Sequence, residues 1–336
     1  MADHSAIEWT DATWNFLAGC SPVSEGCRNC YAAKDAVRLG GNPNEKVHAK
    51  YGGTAEMRGA GERRRAVFTG KVTFSEEALL KPLSWRRGRK IFVNSMSDLF
   101  HADVADEVID RAFAVMALAQ QHTFQVLTKR PERMAEYFAD EYRWAYIEGA
   151  AQKIHHDRTG EDPSMWLAVH GPLPNVWLGA SVENQDAADE RIPHLLRVPA
   201  AVRFLSLEPL LGPVELSNIT GWSTAAMRHW AGRPILGAHG IGWGIVGGES
   251  GPNARPMHPA WARSLRDQFA AADVPFFFKQ WGEWVPAGQV PGSAGTLRPL
   301  RPHPFDGLLM YRAGKAPAGR LLDGVEHNAF PEVVHG

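Results

Sequence analysis

The feature that most constrains this chain is the grouping of its cysteines. The 336 residues contain three cysteines, and all of them lie close together, at Cys20, Cys27 and Cys30, with the spacing C-x6-C-x2-C. Cysteines that serve packing are expected in apolar segments throughout a chain, and a disulfide framework needs an even number in a small secreted chain. Ligation of metal by three thiolates is therefore the leading interpretation.

Three thiolates form an incomplete ligand set. A structural zinc site is closed by four protein ligands, and the common iron–sulfur clusters also take four cysteines. In a zinc site the remaining position would belong to water, to substrate or to a histidine, for which His101 is the first candidate. In a [4Fe-4S] cluster one iron would stay free to bind a small molecule. Three thiols without metal are the third alternative.

The overall composition gives no sign of a strongly basic nucleic-acid-binding protein or of a membrane-spanning protein. Lys and Arg number 36 against 37 Asp and Glu, so no global basic field indicates nucleic acid, although a local basic patch is compatible with these totals. The sequence shows no N-terminal signal stretch and no apolar run long enough to cross a bilayer. Together with unpaired thiols, this predicts a cytoplasmic protein with no membrane partner.

Short apolar segments alternate with amphipathic helices along most of the chain. One helix is predicted to begin at Tyr31, and another is indicated by Val104, Val108, Ala112 and Met116. The predicted strands cover residues 13–17, 91–95, 124–128, 176–180, 202–206, 243–246 and 275–278. Near-continuous apolar strands between helices indicate a buried parallel sheet. We therefore predict an α/β fold, a partial or closed (β/α) barrel of about six to seven parallel strands with helical insertions.

The barrel is predicted to occupy residues 1–284. Polar or Gly-rich stretches interrupt its repeating unit and predict insertions near 40–65, 132–172 and 213–240. After Trp284 the chain is rich in Pro and Gly and shows little periodicity. Residues 285–336 are therefore predicted to form an irregular extension packed on the barrel, with a hairpin around 298–311.

Charged and polar residues recur where the predicted strands end. In (β/α) barrels the active site is built at the carboxyl ends of the strands, and recurrence at that end favours a polar site over isolated helix caps and surface charges, the alternative explanation. Glu208 is either a ligand-facing acid or a buried partner of Lys279. No catalytic residue is assigned. The predicted cofactor-binding residues are Ser95, Ser97, Asp98, Lys129, Ser181, Glu183, Asn184, Ser206, Glu208, Gly247, Gly248, Glu249 and Lys279.

Ten short motifs lie between about residues 8 and 284: Trp14-Asn15, Gly19-Cys20, Gly26-Cys27, Cys30-Tyr31-Ala32, residues 93–100, residues 127–131, residues 175–179, residues 206–211, residues 247–251 and residues 278–281. Together they resemble a phage- and prophage-associated family of unknown function described as three-Cys-motif proteins. The C-x2-C pair followed by Tyr31 is in addition similar to the cluster motif of radical S-adenosylmethionine (SAM) enzymes.

The resemblance implies a radical-SAM-like barrel in which the three cysteines hold a [4Fe-4S] cluster and the strand-end residues bind SAM. It implies an enzyme that cleaves SAM reductively and abstracts hydrogen from an unknown substrate, a nucleotide or DNA base in phage-associated modification or repair. An electron donor and a partner protein are further implied partners. The chain departs from the radical SAM pattern in its first cysteine gap, which is six residues instead of three, and in having Ser95-Met96-Ser97-Asp98 in place of Gly-Gly-Glu.

Two rival functions remain open at this stage. The first is a zinc-stabilised protein that binds nucleic acid or a partner without redox chemistry, through a basic face formed by Arg63, Arg64, Arg65, Arg86, Arg87, Arg89 and Lys90. The second is a metal-dependent hydrolase that uses Asp98, Glu208 and Glu249. Acids on separate strand ends permit this second function, but it leaves the cysteines without a role.

Overall fold

A computed structural model gives the fold of residues 5–61, 64–163, 167–220, 234–237, 240–289 and 302–332. The strands are β1 (Ala12–Trp14), β2 (Leu17–Ala18), β3 (Ala55–Arg58), β4 (Arg65–Phe68), β5 (Thr73–Phe74), β6 (Lys90–Val93), β7 (Thr123–Thr128), β8 (Val176–Ser181), β9 (Val202–Leu207), β10 (Trp243–Gly247), β11 (Phe276–Gln280), β12 (Trp284–Pro286), β13 (Pro302–Phe305) and β14 (Leu308–Arg312). The helices are α1 (Tyr31–Gly40), α2 (Glu45–Tyr51), α3 (Glu76–Leu79), α4 (Asp106–Leu118), α5 (Pro131–Phe138), α6 (Arg143–Thr159), α7 (Gln185–Leu195), α8 (Pro259–Ala271) and α9 (Lys315–Ala318).

Seven strands form one parallel sheet, in the order β1-β6-β7-β8-β9-β10-β11. These seven strands follow one another in the sheet in the same order as along the chain, and every adjacent pair is parallel. The sheet curves as a half-barrel with helices on its outer side. The predicted α/β fold with a partial barrel of about seven parallel strands is therefore confirmed, and the closed alternative is not observed among the described residues.

Side chains on the strands alternate between two hydrophobic cores. On β6, Ile91 and Val93 pack outward in the large core shared with the helices, whereas Phe92 packs inward. The inner core is a separate cluster on the concave side of the sheet, and it is rich in aromatic rings. Its buried members are Trp9, Phe92, Trp177, Phe204, Trp243, Ile245 and Phe277. Aromatic side chains thus fill the inside of the half-barrel at the level of the strand centres.

The same alternation decides which residues face the open end of the half-barrel. Every second side chain on a strand points to the same face. Ser181 therefore faces inward like Trp177, Lys279 faces inward like Phe277, and Ser206 on β9 faces inward like Phe204. The carboxyl ends of these strands therefore present polar groups above the aromatic core. We call this polar end of the half-barrel the mouth.

The first strand is shorter than the predicted segment 13–17. β1 ends at Trp14, and the next residue, Asn15, accepts hydrogen bonds at its side-chain oxygen from Ser95 Oγ at 3.1 Å and Met96 N at 3.2 Å. These bonds turn the chain out of the main sheet. Leu17–Ala18 then pairs antiparallel with Thr73–Phe74 instead of continuing β1.

Two of the predicted insertions contain regular structure. Residues 40–65 hold α2 and part of an antiparallel β3–β4 hairpin, which packs on α1 through a small cluster that includes Ala33, Ala36 and Phe68. Residues 132–172 hold most of α5 and all of α6, and α6 packs on α4 in the outer helical layer. Val104, predicted on a helix, precedes α4, which begins at Asp106. Most of the predicted insertion 213–240 lies outside the described residues.

The chain after residue 284 contains more strand than the sequence predicts. β12, β14 and β13 form an antiparallel sheet, and the β13–β14 pair is the predicted hairpin, of which 298–301 lie outside the described residues. Phe330 then packs against Trp243, with ring centroids 5.1 Å apart. The search of the described residues for a membrane-spanning helix found none with the necessary length and apolar content.

Candidate functional site

The three cysteines line one cavity at the mouth. The cavity has a volume of about 160 Å³, and its walls include Cys20, Cys27 and Cys30. All three side chains are partly exposed and none forms a disulfide. The fold therefore brings the three thiols to one cavity, which the predicted metal centre requires.

Each cysteine is positioned by a different local structure. Cys20 follows β2, Cys27 ends the short 3-10 turn Glu25–Cys27, and Cys30 occupies the N-cap of α1. The turn is closed by a hydrogen bond from Cys27 N to Ser24 O at 2.9 Å. The loop therefore folds back on itself and brings residues ten positions apart in sequence to the same cavity wall.

Burial favours the protonated form of two of the three thiols, Cys20 and Cys30. Burial raises the pKa of Cys20 to about 12, with Asp98 adding to the rise, while Arg130, 3.6 Å from the sulfur, opposes it. Burial also raises the pKa of Cys30, against the backbone N–H groups of Ala33 and Ala32 at the start of α1. A metal centre would have to displace these protons, so its binding would release protons.

Two buried polar groups at the cavity lack a partner. Asn94 has a left-handed backbone (φ 57°) and is 2% exposed; its Oδ1 accepts from Leu17 N at 3.2 Å. Its amide Nδ2, and the hydroxyl of Ser97, have no hydrogen-bond partner among the described residues. Both residues line the cavity. Unsatisfied buried polar groups are costly and rare, and a bound group that accepts from them would remove the cost.

His101 is engaged on both ring nitrogens. Its Nε2 lies 2.8 Å from Ser21 Oγ, and its Nδ1 lies 3.2 Å from the backbone N–H of Asp103. Burial lowers the pKa of His101, and Arg130 lowers it further. The histidine is therefore a neutral structural group beside the cysteine loop, and it would have to give up one of these partners to act as a fourth zinc ligand.

Asp98 joins the end of β6 to the end of β7. Its carboxylate accepts hydrogen bonds from Thr128 Oγ1 at 2.7 Å, from Lys129 N at 3.1 Å and from Arg130 Nη1 at 2.9 Å. Arg130 Nη2 also donates to the backbone oxygen of Ser21 at 2.9 Å. Asp98 and Arg130 therefore fix the cysteine loop to two strand ends. Nothing in the amino-acid sequence favours Arg130 over its neighbour Lys129 for this role.

Glu183, at the end of β8, is held by two cations. Arg191 Nη1 donates to it at 2.8 Å and Lys129 Nζ at 3.3 Å. Burial would raise the pKa of Glu183, but the charges of Lys129 and Arg191, with hydrogen bonds from Ser24 and Arg191, lower it to about 2. A Cβ on Gly26 would lie 3.1 Å from this carboxylate. The lack of a side chain there lets the cysteine loop rest on Glu183.

Glu208 is the ion-pair partner of Lys279. Lys279 Nζ lies 2.8 Å from each carboxylate oxygen of Glu208, and Gln280 donates to the same carboxylate at 3.2 Å. Of the two alternatives that the sequence left open for Glu208, the partner of Lys279 is the one observed. The Glu208–Pro209 peptide is cis.

Glu249, after β10, ties the far side of the mouth to the cysteine loop. Its carboxylate accepts from Arg255 Nη2 at 2.7 Å, from Arg255 Nε at 2.9 Å and from Asn29 Nδ2 at 3.0 Å. Arg255 Nη2 also donates to Glu25 O at 3.0 Å. Asn29 lies between Cys27 and Cys30, so Glu249 acts on the cysteine loop from a strand more than two hundred residues away in sequence. We call Glu249, Arg255 and Asn29 the latch.

The remaining predicted residues divide between the cavity and other roles. Ser95 and Ser181 line the cavity, whereas Ser206 is buried near the end of β9 and is not among the cavity walls. The side chain of Asn184 caps α7 by accepting from Ala187 N at 3.0 Å, so its oxygen is directed at that helix. Gly247 packs against Glu208, and Gly248 packs against the backbone of Trp281, which leaves no room for a Cβ.

The basic face of the rival interpretation is divided by the fold. Residues 86–89 precede β6 and Lys90 is its first residue, so these cations lie at the amino end of the strand, away from the mouth. There Arg89 stacks over Trp85 at 4.7 Å and Lys90 over Phe330 at 4.4 Å. Arg64 and Arg65 belong to the β3–β4 hairpin, and Arg63 lies outside the described residues. The two groups of cations therefore stand on different parts of the molecule.

A larger groove, of about 1010 Å³, lies away from the cysteines along α4 and α6. Its most buried charge, Arg143, donates to Asp110 at 2.9 Å and to Asp106 at 2.9 Å, and Tyr137 also donates to Asp110 at 2.6 Å. These groups satisfy one another. The cysteine cavity, where the buried Asn94 amide and Ser97 hydroxyl have no partner among the described residues, is the better candidate.

The arrangement of the thiols bears on the kind of metal centre that fits. Among the described residues no three His, Cys, Asp or Glu side chains converge on one point as ligands of a single metal ion. Tetrahedral zinc, with Zn–S bonds of about 2.3 Å, needs sulfurs only about 3.8 Å apart. In a [4Fe-4S] cluster each cysteine binds a different iron, so the sulfurs need not converge. Three thiols around one cavity are the kind of donor that such a cluster takes.

Comparison with known proteins gives a family and no activity. A family model described as "Protein of unknown function (DUF5131)" matches residues 4–331. No curated protein and no solved structure matches the chain.

Proposed function

We propose a function from the chain's own residues, because the chain belongs to the DUF5131 family, whose description gives no activity. The proposal is an iron–sulfur enzyme of the radical SAM type, acting in a reducing compartment such as the cytoplasm. Cys20, Cys27 and Cys30 would hold a [4Fe-4S] cluster. When bound, such a cluster supplies one electron for reductive cleavage of SAM, which yields a radical able to abstract hydrogen from a substrate.

The observation that carries the proposal is the meeting of three free thiols at one cavity on the carboxyl ends of a parallel half-barrel. That edge is where barrels of this kind place their active sites. The chain has no fourth cysteine to complete the set, which leaves a coordination position for a small molecule. Structural use of the thiols would explain neither their partial exposure nor the missing fourth ligand.

The protein's own residues would position and shield the reactive groups. Asp98 and Arg130 hold the loop on one side, and the latch holds it on the other. Ser97, with its unpartnered hydroxyl, and Lys129, with its partly buried ammonium, stand at the cavity as polar groups for SAM. The aromatic inner core closes the half-barrel below the mouth and keeps water from entering from that side.

The ion pairing at the mouth refines the predicted set of SAM ligands. Glu183, Glu208 and Glu249 each have a basic partner within hydrogen-bond distance. We therefore assign them a positioning role in the proposal and leave the direct contacts to the residues that line the cavity. The resemblance to phage-associated proteins suggests a nucleotide or a DNA base as the substrate, with an electron donor as a further partner.

The test is anaerobic reconstitution of the whole chain with iron and sulfide, followed by reduction and addition of SAM. We expect broad absorption in the visible region that bleaches on reduction, together with SAM-dependent formation of 5′-deoxyadenosine. Cys27→Ala should abolish both. Ser97→Ala, which removes only a hydroxyl that has no partner among the described residues, should weaken retention of the metal without preventing folding. A reconstituted protein that binds iron but never consumes SAM would contradict the proposal.

A further inference from the structure

The segment from α1 to β5, residues 31–74, differs from the rest of the chain in charge. It contains nine Lys and Arg against four Asp and Glu, whereas the whole chain has 36 against 37. In the structure it forms one unit, in which α2 and the β3–β4 hairpin pack on α1. We call this unit the basic insert. Its positive charge is balanced by acids elsewhere in the chain, so it is a local field on one part of the surface.

Four of the nine cations of the basic insert are available to a ligand. Lys34, Arg64, Arg65 and Lys71 are exposed, and none of them forms an ion pair with a carboxylate that the structure describes. Three others are paired with carboxylates: Arg38 with Asp35, Arg58 with Glu56 and Lys46 with Glu77. At the tip of the hairpin, Arg65 borders a shallow depression of about 320 Å³. Free arginines beside a depression are a common way to hold a phosphate group.

The basic insert also forms one wall of the cysteine cavity. Phe68 at the end of β4 and Ala33 on α1 line the cavity together with Cys30. Tyr31, next to Cys30, is 53% exposed, and its hydroxyl donates to Ser95 O at 3.1 Å. An anchored, exposed aromatic ring at the rim of a cavity is a surface on which a base can stack. The cations and the ring thus belong to one continuous unit.

We propose that the basic insert binds the phosphate backbone of a single-stranded nucleic acid and that Tyr31 stacks a base of that strand at the cysteine cavity. This inference rests on the proposed function, because it supplies the substrate class for that site. A base must be unstacked to enter a cavity of this size, which favours single-stranded over duplex substrate. Backbone contacts from arginine and lysine would supply the affinity, without dependence on sequence.

The test is fluorescence anisotropy of a labelled single-stranded oligonucleotide titrated with the whole chain at several salt concentrations. R64Q/R65Q removes two free cations of the basic insert. R86Q/R87Q is the matched control, because it removes two exposed cations at the opposite end of β6. We expect R64Q/R65Q to reduce the magnitude of the slope of log K against log salt by about 1.4, about 0.7 for each lost phosphate contact. The binding constant of the wild type, divided by that of the variant, should therefore increase about 25-fold when salt is lowered from 1 M to 0.1 M. The control should bind as wild type does.

Tyr31→Leu separates stacking from charge. We expect it to weaken binding by roughly 5- to 150-fold, the range that stacking of one base gives, with no change in the salt slope. Equal effects of the two double substitutions, or no binding by the wild-type protein, would overturn the inference. Binding to vesicles of phosphatidylcholine and phosphatidylserine in the absence of oligonucleotide binding would also overturn it, in favour of a membrane surface.

The outcome can be told apart from that of the proposed function. Oligonucleotide binding needs no metal, so it is measured on the wild-type protein and on Cys27→Ala, and iron is determined separately on both. Normal iron content without oligonucleotide binding removes this inference and leaves the iron–sulfur proposal. Oligonucleotide binding without iron or SAM turnover removes the iron–sulfur proposal and leaves the nucleic-acid surface.

Discussion

Replacing Glu183 by glutamine tests whether the mouth depends on its buried charge pairs. Glu183 is 2% exposed and lies between Arg191 and Lys129. A pKa lowered from 4.5 to about 2 corresponds to roughly 3 kcal/mol of stabilisation at neutral pH, at about 1.4 kcal/mol per unit. Removing one partner of a buried pair costs about 3–5 kcal/mol, because a cation is left uncompensated. We therefore expect E183Q to lower the free energy of unfolding by about 3–5 kcal/mol at pH 7.

The acid dependence of the same variant gives a second, independent readout. A carboxylate whose pKa is depressed in the folded state stabilises fully above its unfolded value of 4.5, and this stabilisation is lost as pH falls toward the folded value. At pH 3.5 the contribution of Glu183 falls to roughly 2 kcal/mol. The difference between wild type and E183Q should therefore narrow as the pH is lowered from 7 to 3.5.

Urea unfolding followed by tryptophan fluorescence measures both quantities. Glu190→Gln is the matched control, because Glu190 lies 3.9 Å from the Nε of the same arginine but is 71% exposed. Exposed pairs contribute little, so E190Q should stay within about 0.5 kcal/mol of wild type. A stability of E183Q equal to that of E190Q, or a difference from wild type that does not change with pH, would refute the reasoning.

Four further substitutions test the packing and the latch. Gly244→Ala places a Cβ 2.2 Å from an aromatic ring of α8, and it should lower the free energy of unfolding by about 1–3 kcal/mol. Gly149→Ala lies in an exposed and open position on α6, and it should raise the free energy of unfolding by up to about 1 kcal/mol. Thermal melting that ranks the two variants in the opposite order would contradict the packing. Arg255→Gln removes the charged bonds of the latch, so the cysteines of the metal-free protein should react with iodoacetamide about tenfold faster. Arg28→Gln, which breaks an exposed pair in the same loop, should leave that rate unchanged.

The barrel could be predicted because its strands are nearly continuous apolar runs that end in polar residues. The parity of Trp177 and Phe277 also places Ser181 and Lys279 on the inner face from sequence alone. The predicted ends of strands and helices were less accurate than their existence. Val104 lies before the observed start of α4, and the first strand stops early because the single side chain of Asn15 turns the chain.

The partners of the mouth residues could not be predicted. Glu249 reaches Asn29 across 220 residues of chain, and no periodicity in the sequence relates the two. Arg191 was a simpler omission, since it lies two helical turns after Glu183 on the adjoining helix α7. The structure of residues 40–65 was also missed, because the β3–β4 hairpin is ordered by tertiary contacts in which Phe68 packs against Ala33 and Ala36 of α1.

We propose that the three thiols at the mouth share one iron–sulfur centre. The most direct test is to measure iron, acid-labile sulfide and zinc in protein purified without oxygen, beside the same preparation of Cys27→Ala. We expect about four iron ions and four sulfide ions per chain in the wild type and the loss of both in Cys27→Ala. A full equivalent of zinc without sulfide, or iron that survives the loss of Cys27, would contradict it.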